Sequence, residues 1–151
     1  MPLSRPPNTM PRPRKIASDD YERLADFRYA LRTFLHFSES AARAAGLTPQ
    51  QHQALLAIKG AERRGPMNIA ALSARLLLRH HSTVELVNRL EAAGLVTRRT
   101  DALDARKVVL SLTDQAEDLL SQLSAAHLDE LTRLHPTLAP LLERIAHPTT
   151  R

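Results

Sequence analysis

The stretch that decides the fold is Leu95–Thr113, with the sequence LVTRRTDALDARKVVLSLT. Two apolar-rich runs, Leu95–Arg99 and Lys107–Leu112, flank a short polar loop. The β-branched and aliphatic residues of these runs are typical of strands. The stretch therefore predicts a small β-hairpin with a charged tip. The charged side chains of the tip are Asp101, Asp104 and Arg106.

Two short helical segments are predicted before the hairpin. Asn68 is a good N-cap for a first helix that ends at Leu76, and Leu77–Arg79 is predicted as a tight turn. A second helix then runs from about His80 to Ala93 and stops at Gly94. Two short helices joined by a tight turn form a helix-turn-helix motif, whose second helix enters the major groove of DNA. A charged hairpin after such a motif is typical of a winged helix-turn-helix.

Amphipathic helices are predicted on both sides of this central lobe, residues 47–113. The first covers residues 18–46 and contains all five aromatic residues, which is more apolar surface than one buried stripe requires. We infer that its second face packs against another subunit or lines a cavity. A helix opens with a capping box at Thr48-Pro49-Gln50-Gln51. After the hairpin, residues 114–147 are predicted as a helix to Pro136 and a last helix from about Thr137 to Ala146.

Length and composition limit what the chain can be, and its 151 residues are enough for one globular domain. The formal net charge of +5 favours polyanionic partners. The lack of cysteine excludes disulfides and thiol chemistry. We expect no membrane span, a cytoplasmic location, no cofactor and no enzymatic activity, because the sequence has no long apolar run, no phosphate-binding loop and no nucleophile motif. Residues 1–17, which hold five of the ten prolines and no acidic residue, are predicted as a flexible basic arm.

The central lobe resembles the MarR (multiple antibiotic resistance regulator) family of bacterial transcription regulators. Leu47–Leu55 resembles the second helix of that family, and Ile69–Leu76 the first element of its helix-turn-helix. His81–Val96 resembles its recognition helix and exit, and Asp104-x-Arg106 with the following strand resembles its wing. Ala105 stands where many members have a basic residue.

The resemblance implies a homodimer built by the N- and C-terminal helices, which binds a pseudo-palindromic double-stranded operator and responds to a small molecule. Repression is the more frequent role in the family. The polar and charged side chains of the second helix and the wing are suited to contacts with base edges, phosphates and the minor groove of DNA. Arg106 is predicted to enter the minor groove, held by Asp104, and Glu85 is predicted to pair with Arg89. The predicted DNA-contacting residues are His80, His81, Ser82, Thr83, Asn88, Arg89, Arg98, Arg99, Asp104, Arg106 and Lys107.

Two other functions stay open at this point. The chain could be a winged-helix module for protein interaction without specific DNA binding, or a metal-sensing regulator. The seven histidines show no chelating spacing, so no metal ligands are assigned. By the family's layout, the small-molecule effector would lie between the dimer helices and the central lobe. The residues predicted to border it are Phe27, Arg32, Phe34 and His52.

Overall fold

The structure, a computed structural model, describes Met10 and residues 15–146, and within them five helices and one β-hairpin. The predicted basic arm therefore lies outside the described residues, apart from Met10 and residues 15–17. The mainly helical winged fold predicted from the sequence is confirmed. The elements are α1 (Ser18–Ala44), α2 (Pro49–Ala61), α3 (Ile69–Leu76), α4 (His80–Ala92), β1 (Val96–Thr100), β2 (Val108–Leu112) and α5 (Asp114–Ala146).

The helix ends follow the capping residues of the sequence. The Thr48 hydroxyl accepts a hydrogen bond from the Gln51 amide at 3.1 Å, and the Gln51 side chain accepts one from the Thr48 amide at 3.0 Å. The Asn68 side chain accepts a hydrogen bond from a backbone amide in the first turn of α3 at 2.8 Å. Gly46 and Gly94, with φ of 81° and 72°, follow the ends of α1 and α4 in a conformation that favours glycine. The predicted capping box and helix stops are confirmed.

The two faces of the hairpin differ in their surroundings. β1 and β2 are antiparallel, and the register pairs Val96 with Leu112, Arg98 with Leu110 and Arg99 with Val109. Directly paired residues lie on the same face of a sheet, and successive residues alternate between faces. Val96, Leu110 and Leu112 are buried, so their face packs on the lobe, and Arg98 shares it. Arg99 therefore projects from the opposite face.

One hydrophobic core joins the helix-turn-helix, the hairpin and the beginning of α5. The Met67 carbonyl accepts a hydrogen bond from the Leu110 amide at 2.8 Å, which attaches the segment before α3 to the hairpin. Burial of one large aliphatic side chain contributes about 1.5–3 kcal/mol, whereas a surface ion pair contributes at most about 1 kcal/mol. The lobe is therefore held mainly by this core. The largest side chains of the core that are completely buried are Leu55, Ile58, Leu72, Leu90, Val87 and Val96.

The C-terminal region is one continuous helix, and the predicted break at Pro136 is wrong. α5 passes through both Pro136 and Pro140. Each proline removes one backbone hydrogen bond, at a cost of about 3 kcal/mol in a helix interior. Both prolines are exposed, so the freed carbonyl groups can bind water, while Leu134 and Leu141 on the same helix are buried. Packing along α1 thus accounts for the continuity of α5. No helix of the described residues is both long and apolar enough to cross a membrane.

Thr113 joins the recognition helix α4 to α5. Its hydroxyl donates a hydrogen bond to the Gly94 carbonyl at 2.7 Å and accepts one from the Ala116 amide at 3.2 Å. Its own amide donates a hydrogen bond to the Leu95 carbonyl at 3.1 Å. The end of α4, the beginning of the hairpin and the first turn of α5 therefore meet at one residue.

Replacing Thr113 by valine is expected to lower the free energy of unfolding by about 1–2 kcal/mol, because an N-cap and a hydrogen bond are lost at similar side-chain volume. Chemical denaturation followed by circular dichroism measures this change. Thr113→Ser keeps the hydroxyl and is expected to remain close to the original protein. Equal stability of the valine variant and the original chain would contradict the role given to the hydroxyl.

Candidate nucleic-acid interface

The exposed side of α4 carries five of the eleven residues predicted to contact DNA. His80, His81, Asn88 and Arg89 are exposed, and Ser82 is half-buried at the first turn. The opposite side of the helix packs into the core through the leucine and valine residues described above. The helix-turn-helix therefore presents a polar surface of about three turns.

Thr83 does not belong to that surface, and its assignment as a DNA contact is wrong. The residue is fully buried, and its hydroxyl donates a hydrogen bond to the Arg79 carbonyl at 3.0 Å. Thr83 lies four residues before Val87 and seven before Leu90, so it shares the buried stripe of α4. The sequence shows this spacing, but the hydroxyl group of Thr83 also fits a contact with a base edge, and the prediction followed the hydroxyl.

Arg98 is held by α4. Its Nη1 donates a hydrogen bond to Glu91 at 2.7 Å, and its Nη2 donates one to the Asn88 side-chain oxygen at 2.7 Å. This arrangement follows from the hairpin register, which turns Arg98 toward the lobe. The sequence predicts Arg98 and Arg99 alike as DNA contacts, and it does not distinguish Glu91 from other exposed residues of α4.

The ion pair predicted within α4 is also wrong. Among residues 15–146, Glu85 and Arg89 form no ion pair. Arg89 instead borders an open cleft of about 300 Å³ beside the first turn of α2. A spacing of four residues allows such a pair, but it contributes only about 0.2–0.5 kcal/mol, so tertiary surroundings decide whether it forms.

The tip of the wing, residues 101–107, is shaped by two aspartates. Asp101 accepts a hydrogen bond from the Leu103 amide at 2.7 Å, and Asp104 accepts one from the Arg106 amide at 3.0 Å. Such contacts between an aspartate and the amide two residues later define a turn. The Asp104 carboxylate also lies 3.5 Å from Arg106 Nε. Asp104 therefore contacts Arg106, as predicted, through both the side chain and the backbone amide of that residue.

Arg106 is the most exposed arginine of the ion pairs described, with 93% of its side chain accessible. Arg99 and Lys107 are also exposed, and neither forms an ion pair within the described part of the chain. The wing thus offers cationic groups on a tip fixed by backbone hydrogen bonds. This arrangement has the charge and the shape required to enter a minor groove or to contact phosphates.

The predicted effector residues are only partly brought together. The rings of Phe34 and His52 lie 5.9 and 4.8 Å from the ring of His127, and Phe37 lies 5.4 Å from it, measured between ring centroids. These residues connect α1, α2 and α5. Arg32 is exposed and, like Phe27, makes no ring contact with this cluster among the described residues.

His127 was missed as a site residue, because the sequence indicated only its helical spacing. Its Nδ1 lies 2.6 Å from the Leu123 carbonyl, which only accepts, so Nδ1 is the donor in this hydrogen bond. Its Nε2 shares a hydrogen bond of 2.7 Å with the Ser38 hydroxyl. His52 is buried beside this ring, and burial lowers the pKa of His52 below its ordinary value, with a further lowering by His127. No group of three or more metal-ligating side chains occurs in the described residues.

The order of elements and the basic, fixed tip define a winged helix-turn-helix. Residues 45–107 match the model of the MarR family. The HTH-type transcriptional regulator YkoM of Bacillus subtilis is 30% identical over 77 residues, which cover 51% of this chain and 50% of YkoM. The match thus spans about half the length of that curated relative. The central lobe of this chain is therefore similar to proteins of the MarR family.

Solved structures with the same fold come from several bacteria. MepR, a transcription regulator of the Staphylococcus aureus multidrug efflux pump MepA, gives a TM-score of 0.70 at 18% identity, over 83% of this chain and 96% of MepR. A MepR variant bound to an oligodeoxyribonucleotide gives a TM-score of 0.61 at 19% identity, over 78% of this chain and 81% of the variant. CouR from Rhodococcus jostii RHA1, bound to p-coumaroyl-CoA, gives a TM-score of 0.65 at 23% identity, over 91% of this chain and 99% of CouR. At these identities the likeness shows the fold.

Acid is expected to destabilise the protein through His52. Its pKa is lowered in the folded state, so the unfolded chain takes up the proton more readily. The contribution of His52 is therefore fully present above the ordinary histidine pKa of about 6.5 and is lost as the pH falls below it. Denaturation at pH 7.5 and pH 5 measures this loss.

His52→Phe keeps a ring at this position and removes the titrating group, so it is expected to reduce the loss of stability between the two pH values. His36→Gln, at an exposed position of α1, serves as the control and should keep the full loss. If His52→Phe loses as much stability in acid as the original chain, His52 is not the responsible group.

Proposed function

We propose that the chain is a sequence-specific DNA-binding transcription regulator that acts as a homodimer, represses its targets and responds to a small molecule. The observation that carries the proposal is the wing tip, where Asp104 contacts both the backbone amide and the side chain of an almost fully exposed Arg106. A role on bacterial DNA places the protein in the cytoplasm. The proposed role is regulatory and requires no catalytic group.

Two kinds of contact with DNA are proposed for this surface. In the major groove, Ser82 and the exposed histidines at the beginning of α4 meet base edges, because the N-terminal residues of a recognition helix approach them first. At the wing, Arg106 enters the minor groove, and Arg99 and Lys107 contact phosphates, which position the protein without specifying sequence. The structure of a MepR variant with an oligodeoxyribonucleotide supports DNA binding by this fold.

The homodimer is proposed from the apolar surface of the two outer helices. α1 and α5 pack against each other, yet both expose large apolar side chains. Soluble monomers seldom leave such a surface uncovered, so a second copy of the chain is the proposed cover. The exposed apolar residues of these helices are Tyr21, Leu24, Tyr29, Leu31, Leu35, Leu128, Leu131 and Leu142.

The response to a small molecule is proposed for the region between the outer helices and the lobe. Phe34 and His52 flank His127 there, where α1, α2 and α5 meet. A ligand bound in this region would favour one spacing of the two lobes and so change DNA affinity by a population shift. Phe27 and Arg32 of α1 are proposed as further contacts. The bound p-coumaroyl-CoA of CouR supports ligand binding by a protein of this fold.

A gel-shift experiment with the DNA upstream of the chain's own gene tests the proposed function. Selective binding that weakens with rising salt is expected, because phosphate contacts release counterions. Binding of a protein partner with no selective DNA binding at low salt would instead support a winged-helix interaction module.

Arg106→Ala is expected to weaken binding to the selected DNA about tenfold, because the wing loses its groove contact. Fluorescence anisotropy with labelled DNA measures the affinity, and size-exclusion chromatography checks that the dimer is intact. Arg28→Ala removes the same charge from an exposed position of α1 and should bind almost as the original chain does. Unchanged affinity of the Arg106 variant would remove the wing from the proposed interface.

Leu128→Glu is expected to convert the dimer into a monomer, because it places a charge on the apolar surface of α5 that the second copy is proposed to cover. Light scattering should then give about the chain mass of 16.8 kDa instead of twice that value. Leu103→Glu adds the same charge at the exposed wing tip and should leave the dimer unchanged. A dimeric Leu128 variant would argue against this interface.

A further inference from the structure

The orientation of the Asn88 side-chain amide is determined by Arg98. The guanidinium of Arg98 has donors and no acceptor, so the Asn88 oxygen must face it and accept the 2.7 Å hydrogen bond. The Asn88 amide nitrogen therefore points away from Arg98, with its two N–H groups free of Arg98.

Arg98 cannot easily turn away from this contact. Its second terminal nitrogen is bound to Glu91 at 2.7 Å, and the hairpin register directs the side chain toward the lobe. Only 31% of the Arg98 side chain is exposed. A guanidinium held by two partners in one plane has a well-defined direction. The positive charge thus stays beside the Asn88 carbonyl.

Asn88 lies on the exposed side of α4. It follows His81 by seven residues and Glu85 by three, so the three residues form one stripe along the helix, opposite the buried stripe. A recognition helix that enters the major groove with this stripe brings Asn88 close to a base edge.

An asparagine with both ends of its amide free pairs with adenine, accepting from N6 and donating to N7. In this chain Arg98 already binds one lone pair of the Asn88 oxygen, and the adjacent positive guanidinium disfavours the approach of the amino groups of adenine and cytosine to that oxygen. We propose that Arg98 and Asn88 act as one specificity-determining unit that selects an acceptor edge, which is guanine O6 and N7 or thymine O4, and rejects adenine. This inference rests on the proposed DNA-binding function and specifies which bases are preferred at one position of the DNA target.

Selection from a pool of duplex DNA with a randomised segment tests the proposal, using the full chain and its variants. The original chain should enrich guanine or thymine at one position of each half-site. Asn88→Ala should lose the preference at that position alone. Arg98→Ala frees the Asn88 oxygen, so adenine should gain about tenfold at the same position relative to the original chain.

Arg99→Ala is the matched control, because it removes the same charge from the neighbouring residue on the other face of the hairpin. It should lower affinity for all sequences and leave the selected base unchanged. Asn88→Asp provides a second route if Arg98→Ala does not fold. It keeps an acceptor for Arg98 and replaces the donor by an acceptor, so the selected base should change to cytosine or adenine.

The outcomes separate this proposal from the proposed function. If the original chain binds DNA selectively but Asn88→Ala selects the same bases, Asn88 contacts no base and the inference is overturned. If Arg98→Ala folds and still rejects adenine, Arg98 does not set the preference of Asn88, which also overturns it. If the original chain enriches no sequence at all, the proposed function fails before any variant is compared.

Discussion

The hydroxyl of Thr113 connects the winged lobe to the outer helix α5. It binds the carbonyl that ends α4 and the amide that begins α5, so the recognition helix and the outer helix share one junction. Lys59 of α2 adds a second link, because its ammonium group lies 2.6 Å from Glu117 in the first turns of α5. A displacement of α5 therefore reaches the lobe through short, directional contacts.

The hairpin shows how strand alternation assigns different roles to neighbouring residues. Arg98 and Arg99 are adjacent and chemically identical, yet one binds α4 and the other faces outward. The same hairpin bends at two consecutive aspartate turns, which hold the backbone that leads to Arg106. The wing is thus fixed at its base by tertiary contacts and at its tip by local hydrogen bonds. Its exposed cations are presented by a shaped loop.

The junction of α1, α2 and α5 depends on contacts between residues far apart in the chain. Ser38 and His127 are 89 positions apart and share a 2.7 Å hydrogen bond. His52 lies beside the His127 ring, and burial lowers the pKa of His52. An amphipathic spacing can place each of these residues on an inner face, but it cannot indicate which inner faces meet. This is why two of the four predicted effector residues reach the cluster and His127 was not foreseen.

The sequence by itself determined the order of the elements, the helix caps at Thr48 and Asn68, the helix stops and the charged wing, because these depend on backbone preferences over a few residues. Only the tertiary structure decided that Thr83 is buried, that Arg98 binds Asn88 and Glu91, and that α5 continues through two prolines. Those outcomes depend on which surfaces pack together. Packing of a buried stripe or of a long helix contributes more free energy than the local preferences that a single hydroxyl, ion pair or proline expresses in the sequence.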